Sequence, residues 1–170
     1  MSIWFTADTH FGHKGIIKWC GRPFDTLEEM DSILISNWNS MVKEVDVVYH
    51  LGDFAFGKQK KYLKKLNGRV ILIKGNHDKG IDKLVGKYGL MEVCDVKYIV
   101  YKSAQIYMSH YSHRVWRNSC HGSFNLYGHS HGKLPFFRNS WDVGVDNNNF
   151  YPISFYLLRR KIITENHYLK

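Results

Sequence analysis

Apolar residues fall into short runs along the chain, each closed by a cluster of polar residues and glycine. The run at residues 2–7 predicts a first strand, and those at 46–51 and 69–74 predict two more. Between the first two, Leu27, Met30, Ile33, Leu34, Trp38 and Met41 recur at three- and four-residue spacing. That spacing predicts a helix over residues 26–42 with one buried face. Asp25 or Thr26 is its expected N-cap, and Glu28 and Glu29 put negative charge where the helix dipole favours it. A lysine-rich helix is expected over 59–66 and a short one over 81–88. Residues 93–102 and 105–109 read as antiparallel strands around a turn, 124–127 and 141–145 as short strands, and 153–158 as a last one. Strand and helix alternate in the first half, which predicts a partly parallel sheet, whereas the second half is mostly strand. An α/β fold of two packed sheets with helices outside satisfies both halves. No repeat, low-complexity tract or linker divides the chain, so residues 1–170 read as one domain.

Composition narrows the class. Hydrophobic content of 44% and charged content of 23% exclude a disordered chain. No apolar run approaches the length of about 18 residues that a bilayer span requires, and none reads as a signal peptide. No membrane association is expected. The three cysteines, Cys20, Cys94 and Cys120, are far apart and form no CxxC pair. Reduced thiols in the cytoplasm follow, and a cysteine metal site does not. A net charge of +9 favours anionic partners such as phosphorylated small molecules, nucleotides or nucleic acid. The oligomeric state is not legible.

Candidate chemistry collects at the ends of the strands. Asp8-Thr9-His10 follows the first, Gly52-Asp53 the second and Gly75-Asn76-His77-Asp78 the third; Ser109-His110 and Gly128-His129-Ser130-His131 close two later ones. Any one of these is an ordinary turn, but five turns that all carry Asp, Asn or His are not five accidents. Ligands of α/β sheets bind beyond the carboxyl ends of the strands, so the five can share a crevice. Strand alternation is expected to turn Asp8 with His10, and His129 with His131, to a common side. Carboxylate, imidazole and amide oxygen without thiolate suit Mn, Fe, Ni, Co or Zn as divalent ions. A carboxylate such as Asp53 can bridge two of them, and such a pair holds a hydroxide suited to displacement at phosphorus.

The series DxH, GD, GNHD, H and GHxH, spanning positions 8 to 131, resembles that of the calcineurin-like metallophosphoesterases. The resemblance implies a two-sheet sandwich flanked by helices in four αββα layers, and hydrolysis at two transition-metal ions, manganese foremost. It puts Asp8, His10 and His131 on one ion, Asn76, His110 and His129 on the other, and Asp53 between them. His77 would be the general acid, oriented by Asp78. The segment from His110 to Trp116, with Gly122 and residues 126–129, is similar to a compact bacterial, archaeal and phage branch of that family.

Substrate choice in so small a chain is expected from loops, above all residues 111–123. Arg114 and Arg117 can fork onto a phosphate, and Trp116 or His121 can line the pocket. The opposing reading makes both arginines solvated and Trp116 a core plug. His13 reads as a helix-start residue or a phosphate-facing one. Lys58, Lys60, Lys61, Lys64 and Lys65 read as a solvated helix face, and Asp142 and Asp146 as turn and surface residues. The expected activity is hydrolysis of phosphodiesters of nucleotide-like substrates, with monoesters as a second choice. A nuclease acting on DNA or RNA and a non-catalytic metal-binding scaffold are the alternatives.

Overall fold

In a computed structural model the chain is described over residues 1–168, with side chains through residue 165. Strands β1 (Ile3–Thr6), β2 (Val47–His50), β3 (Arg69–Ile73) and β4 (Leu90–Cys94) run parallel in the order β4-β3-β2-β1, and β9 (Ile153–Ser154) adds antiparallel to β1. The second sheet has the order β5-β6-β7-β8. There β5 (Val96–Tyr101) and β6 (Ala104–Ser109) are antiparallel, while β7 (Phe124–Tyr127) and β8 (Ser140–Asp142) continue in parallel. Two mixed sheets flanked by helices form the expected α/β sandwich.

Side-chain alternation builds its layers. Ile3, Phe5, Val47, Tyr49, Ile71 and Ile73 meet Ile106, Met108 and Leu126 of the second sheet. The alternate residues Val48, Val70 and Leu72 face the other way, onto Met30, Leu34 and Trp38. Those three lie one helical turn apart on α2 (Leu27–Met41). Thr26 caps that helix by accepting from the Glu29 N–H at 3.1 Å, and the Glu29 carboxylate accepts from the Asp25 N–H at 2.8 Å. Helices α1 (Lys14–Cys20) and α3 (Gln59–Leu63) contribute Ile16, Tyr62 and Leu63 to the same layer.

Several local expectations change. The helix expected over 81–88 is a single 3₁₀ turn at Ile81–Leu84, and the strand expected over 141–145 ends at Asp142. The expected strand over 93–102 is two strands broken at Asp95, with β4 in the first sheet and β5 in the second. The expected strand over 153–158 stops at Ser154 and becomes α4 (Phe155–Tyr168), whose Phe155, Leu158 and Ile162 enter the core between the sheets. Burial at spacings of three and four outweighs the β propensity of its first residues. Helix α1 was legible only as a start at His13, because its seven residues include Gly15 and carry little periodicity.

Far from the strand ends, the buried Asp46 carboxylate accepts from the N–H groups of Ser2 (2.6 Å) and Lys43 (3.1 Å) and from the Trp4 indole (3.2 Å). Burial pushes its pKa up, but these bonds outweigh burial and hold the group below its ordinary value. A depressed carboxyl pKa stabilises the fold fully above pH about 4, and the benefit fades as pH falls through the folded-state value. Asp46→Asn is therefore expected to cost about 1 kcal/mol or more at pH 7. The gap from wild type in urea melts should narrow at pH 3; an equal gap at both pH values would contradict this account.

Candidate metal centre

The loops after β1 and β2 lie side by side: the Asp8 N–H donates to the Gly52 carbonyl at 2.9 Å and the His10 N–H to the Asp53 carbonyl at 3.0 Å. Ala7 pairs with Gly144 beyond β8, so the two sheets are joined at this end. The Gly128 N–H donates to the His110 carbonyl at 3.0 Å, which brings the third pair of loops alongside.

Four groups of potential ligand atoms result among the described residues, each with members within 4.8 Å of one another: Asp8, His10 and His131; Asp53, His110 and His129; His10, Asp53 and His77; and Cys20, His131 and Asp146. Asp53 stands between the first two. Its Oδ2 is 3.5 Å from His10 Nε2, 3.6 Å from His110 Nε2 and 4.0 Å from His77 Nε2. Asn76 is exposed beside them, its Oδ1 accepting from the Tyr111 hydroxyl at 3.3 Å, and the Tyr111 ring packs on His110 and His129.

Local backbone explains the convergence differently from strand alternation. Asp8, His10, Asp53, His129 and His131 all have positive φ, between 48° and 67°. Each ligand pair is turned inward by left-handed residues beyond its strand. Close approach is possible because the neighbours are glycines. A Cβ on Gly75 would collide with the Asp53 carboxylate and amide, and one on Gly128 would lie 2.8 Å from Asp8 Oδ2.

The donor set fits cations. Buried His10 Nε2 and His110 Nε2 have no hydrogen-bond partner, although both point at a carboxylate too distant to bond. His110 Nδ1 is 2.7 Å from the Leu51 carbonyl, so its proton sits there and Nε2 keeps a free lone pair. Burial, with the Arg22 charge next, lowers the His10 pKa to about 2 and keeps the ring neutral. Burial also lowers that of His129 and raises that of Asp8 well above the ordinary carboxyl value, with Asp142 and Asp53 adding to it. An enclosed carboxylate held up in this way gains greatly from a nearby cation.

Several supports escaped the sequence. Arg22 is buried and grips Asp146 with Nε at 2.7 Å and a terminal nitrogen at 2.8 Å, while donating to the carbonyls of Asp8 (2.6 Å) and Thr9 (3.1 Å). Asp146 Oδ2 is in turn 2.7 Å from His131 Nδ1. Burial opposes its charge, but the bonds from His131 and Arg22 prevail and hold its pKa at about 2. Asp142 is buried and accepts from Ser130 Oγ and from the N–H groups of Gly132 and Gly144 at 2.6–2.8 Å, which pins the GHSH loop. The surface role expected of this pair is thus corrected. Only the two acids carried a hint in the sequence, and nothing marked Arg22.

Other placements also differ. Asp78 is buried and accepts from the N–H groups of Asp53, Phe54 and Gly75 at 2.8–2.9 Å; its oxygens are spent on the turn, not on the His77 ring. Trp116 is buried with its indole donating to Ser123, Arg117 stacks on Tyr98 at 4.2 Å, and Arg114 borders a separate hollow with His113 and Phe137. None of these three joins the ligand groups. His121 is exposed, with Nδ1 3.1 Å from the Cys120 sulfur. His13 is the N-cap residue of α1, and its ring lies 5.5 Å from His10 and 5.9 Å from His77.

A sandwich with a histidine- and carboxylate-rich crevice at its strand ends defines a metallophosphoesterase-type protein. Residues 1–140 match the calcineurin-like phosphoesterase superfamily domain, and the chain belongs to that family. It is 34% identical to an uncharacterized protein of Methanocaldococcus jannaschii, over 94% of this chain and 90% of that protein. The gene 66 protein of Mycobacterium phage L5 is 29% identical over 85% and 86%. Among solved structures, a protein of unknown function from Aquifex aeolicus superposes with a TM-score of 0.73 at 26% identity, covering 95% of this chain and 99% of that one. No helix among the described residues is long and apolar enough to cross a membrane.

Proposed function

We propose that this chain is a dinuclear metal-dependent phosphodiesterase acting on nucleotide-like substrates. The observation that carries the reading is Asp53, whose carboxylate faces His10 of one ligand group and His110 of the other at 3.5 and 3.6 Å. Asp8, His10 and His131 would hold one divalent ion, His110, His129 and Asn76 the second, with Asp53 shared. Ions bound there would lower the pKa of a coordinated water and draw charge from a phosphoryl oxygen. The residues of the chain do the rest. His77 is half-exposed at the mouth of the crevice, its N–H anchored on Asp53 Oδ1 at 3.0 Å, so its ring can hand a proton to the departing oxygen. Leu51 and Asp146 fix the tautomers of His110 and His131, and the turn bonds of Asp78 keep Asp53 in place.

The test is to strip the protein with chelator and assay an aryl phosphodiester and the matching monoester before and after restoring Mn2+, Ni2+ or Zn2+. Turnover is expected only after restoration and greater on the diester. A folded, metal-loaded protein that hydrolyses neither ester would sink the proposal in favour of a scaffold.

A further inference from the structure

We infer that Trp19 and Phe56 form a base-stacking rim beside the metal centre, and that the strand they hold is single-stranded nucleic acid running on into a lysine-lined groove. This deepens the phosphodiesterase reading and rests on it for the chemistry, although the binding surface stands on separate observations.

Both aromatics face solvent, Trp19 at 67% and Phe56 at 57% exposure. They are not scattered. Each packs on the buried His13 ring, Phe56 nearly parallel at 4.8 Å and Trp19 edge-on at 5.2 Å. His13 in turn neighbours His10 and His77, so the rim begins one ring away from a proposed ligand and the proposed proton donor. Phe56 itself lies 6.4 Å from the His77 ring. The indole lies over Gly15, one turn earlier, at the distance of an ordinary contact. Phe56 is fixed by its N–H, which donates to the Phe11 carbonyl at 2.8 Å.

Beyond Phe56 opens a groove of about 690 Å³, with Lys58, Lys61 and Lys65 along it. Its carboxylate Asp31 accepts from the Gly12 N–H at 3.0 Å and the Tyr62 hydroxyl at 2.7 Å, which turns its oxygens away from the lysines without removing its charge; Glu28 is the second acid. Three lysines against two carboxylates leave the groove with a formal charge of +1, carried by Lys58, Lys61 and Lys65. Exposed aromatic faces followed by a cationic track is the pattern by which proteins hold unpaired strands, since only unstacked bases can offer their faces. A base leaving the metal centre meets His13's two aromatic neighbours, and the following phosphates meet the lysines. The loop over 111–123 offers no equal to this, because its Trp116 is buried and its Arg117 is spent on Tyr98.

The test is fluorescence anisotropy with a labelled, hydrolysis-resistant phosphorothioate oligothymidylate of about 12 nucleotides. Binding is measured in manganese buffer and again in chelator, beside a duplex of equal length and a linear polyphosphate. Trp19→Ala and Phe56→Ala are each expected to weaken strand binding about tenfold, and Trp19→Phe to restore most of it. Neither alanine variant should alter polyphosphate binding. Exchanging Lys58, Lys61 and Lys65 for glutamine should flatten the salt dependence by about two in slope. The inference falls if wild type does not prefer the single strand, or if the alanine variants bind it as wild type does. It falls equally if they lose polyphosphate to the same degree. Hydrolysis of the aryl diester without strand preference would remove this inference alone; strand binding that needs the rim, with no ester hydrolysis, would remove the phosphodiesterase reading alone.

Discussion

Asp53→Asn is expected to lower metal-restored diester hydrolysis at least about a thousandfold, an effect of about 4 kcal/mol on the barrier. The substitution keeps an oxygen for the His77 N–H but removes the charge that two ligand sets face. Circular dichroism should show an unchanged fold, and metal titration should show one ion lost or both weakened. His77→Ala is expected to behave differently. It should keep both ions and lose about a hundredfold or more, the usual contribution of a general acid. That loss should be larger for an alkyl leaving group than for p-nitrophenol, which departs with little help from a proton. A His77→Ala deficit independent of the leaving group would remove this residue from the role of acid. An Asp53→Asn protein with near wild-type turnover would remove the shared carboxylate from the mechanism.

The second large effect is expected at Asp146, which no motif contains. Asp146→Ala leaves the buried Arg22 guanidinium without its carboxylate and His131 without the group that orients it. Breaking a buried pair in this way costs about 3–5 kcal/mol. Losing the orienting partner of a metal-binding histidine costs about tenfold to a hundredfold in metal affinity. Urea melts in chelator read the first number and metal titration the second. Arg22→Met should share the stability loss because it also abandons the carbonyls of Asp8 and Thr9. Stability within about 1 kcal/mol of wild type for both variants would show that the pair does not hold the β1 loop.

What the sequence revealed of the site was what lies in short local patterns. The expected ligands sit within a few residues of a strand end, and strand ends are visible as apolar runs that stop. Arg22 and Asp146 are 124 residues apart, and their pairing exists only once β8 has brought its loop back to β1. The same distinction explains the fold. Helix α2 has about four turns of periodicity to display and an N-cap, and it was legible to within a residue. Helix α4 begins in a stretch whose Ile153, Phe155 and Leu157 also alternate as a strand would, so local preference pointed the wrong way until burial decided. The bonds of Asp78 were not legible because a motif gives adjacency along the chain, while its carboxylate is claimed by amides 24 and 25 residues earlier.

The left-handed backbone at Asp8, His10, Asp53, His129 and His131 sets the stability of the scaffold against its chemistry. Each such residue costs about 1 kcal/mol or more relative to glycine in the same conformation. Glycine at any one of the five would relieve that cost while removing the side chain, so the scaffold and the proposed ion site make opposite demands on the same residues. Stability and metal binding are expected to move in opposite directions when these positions, and not the core, are exchanged for glycine.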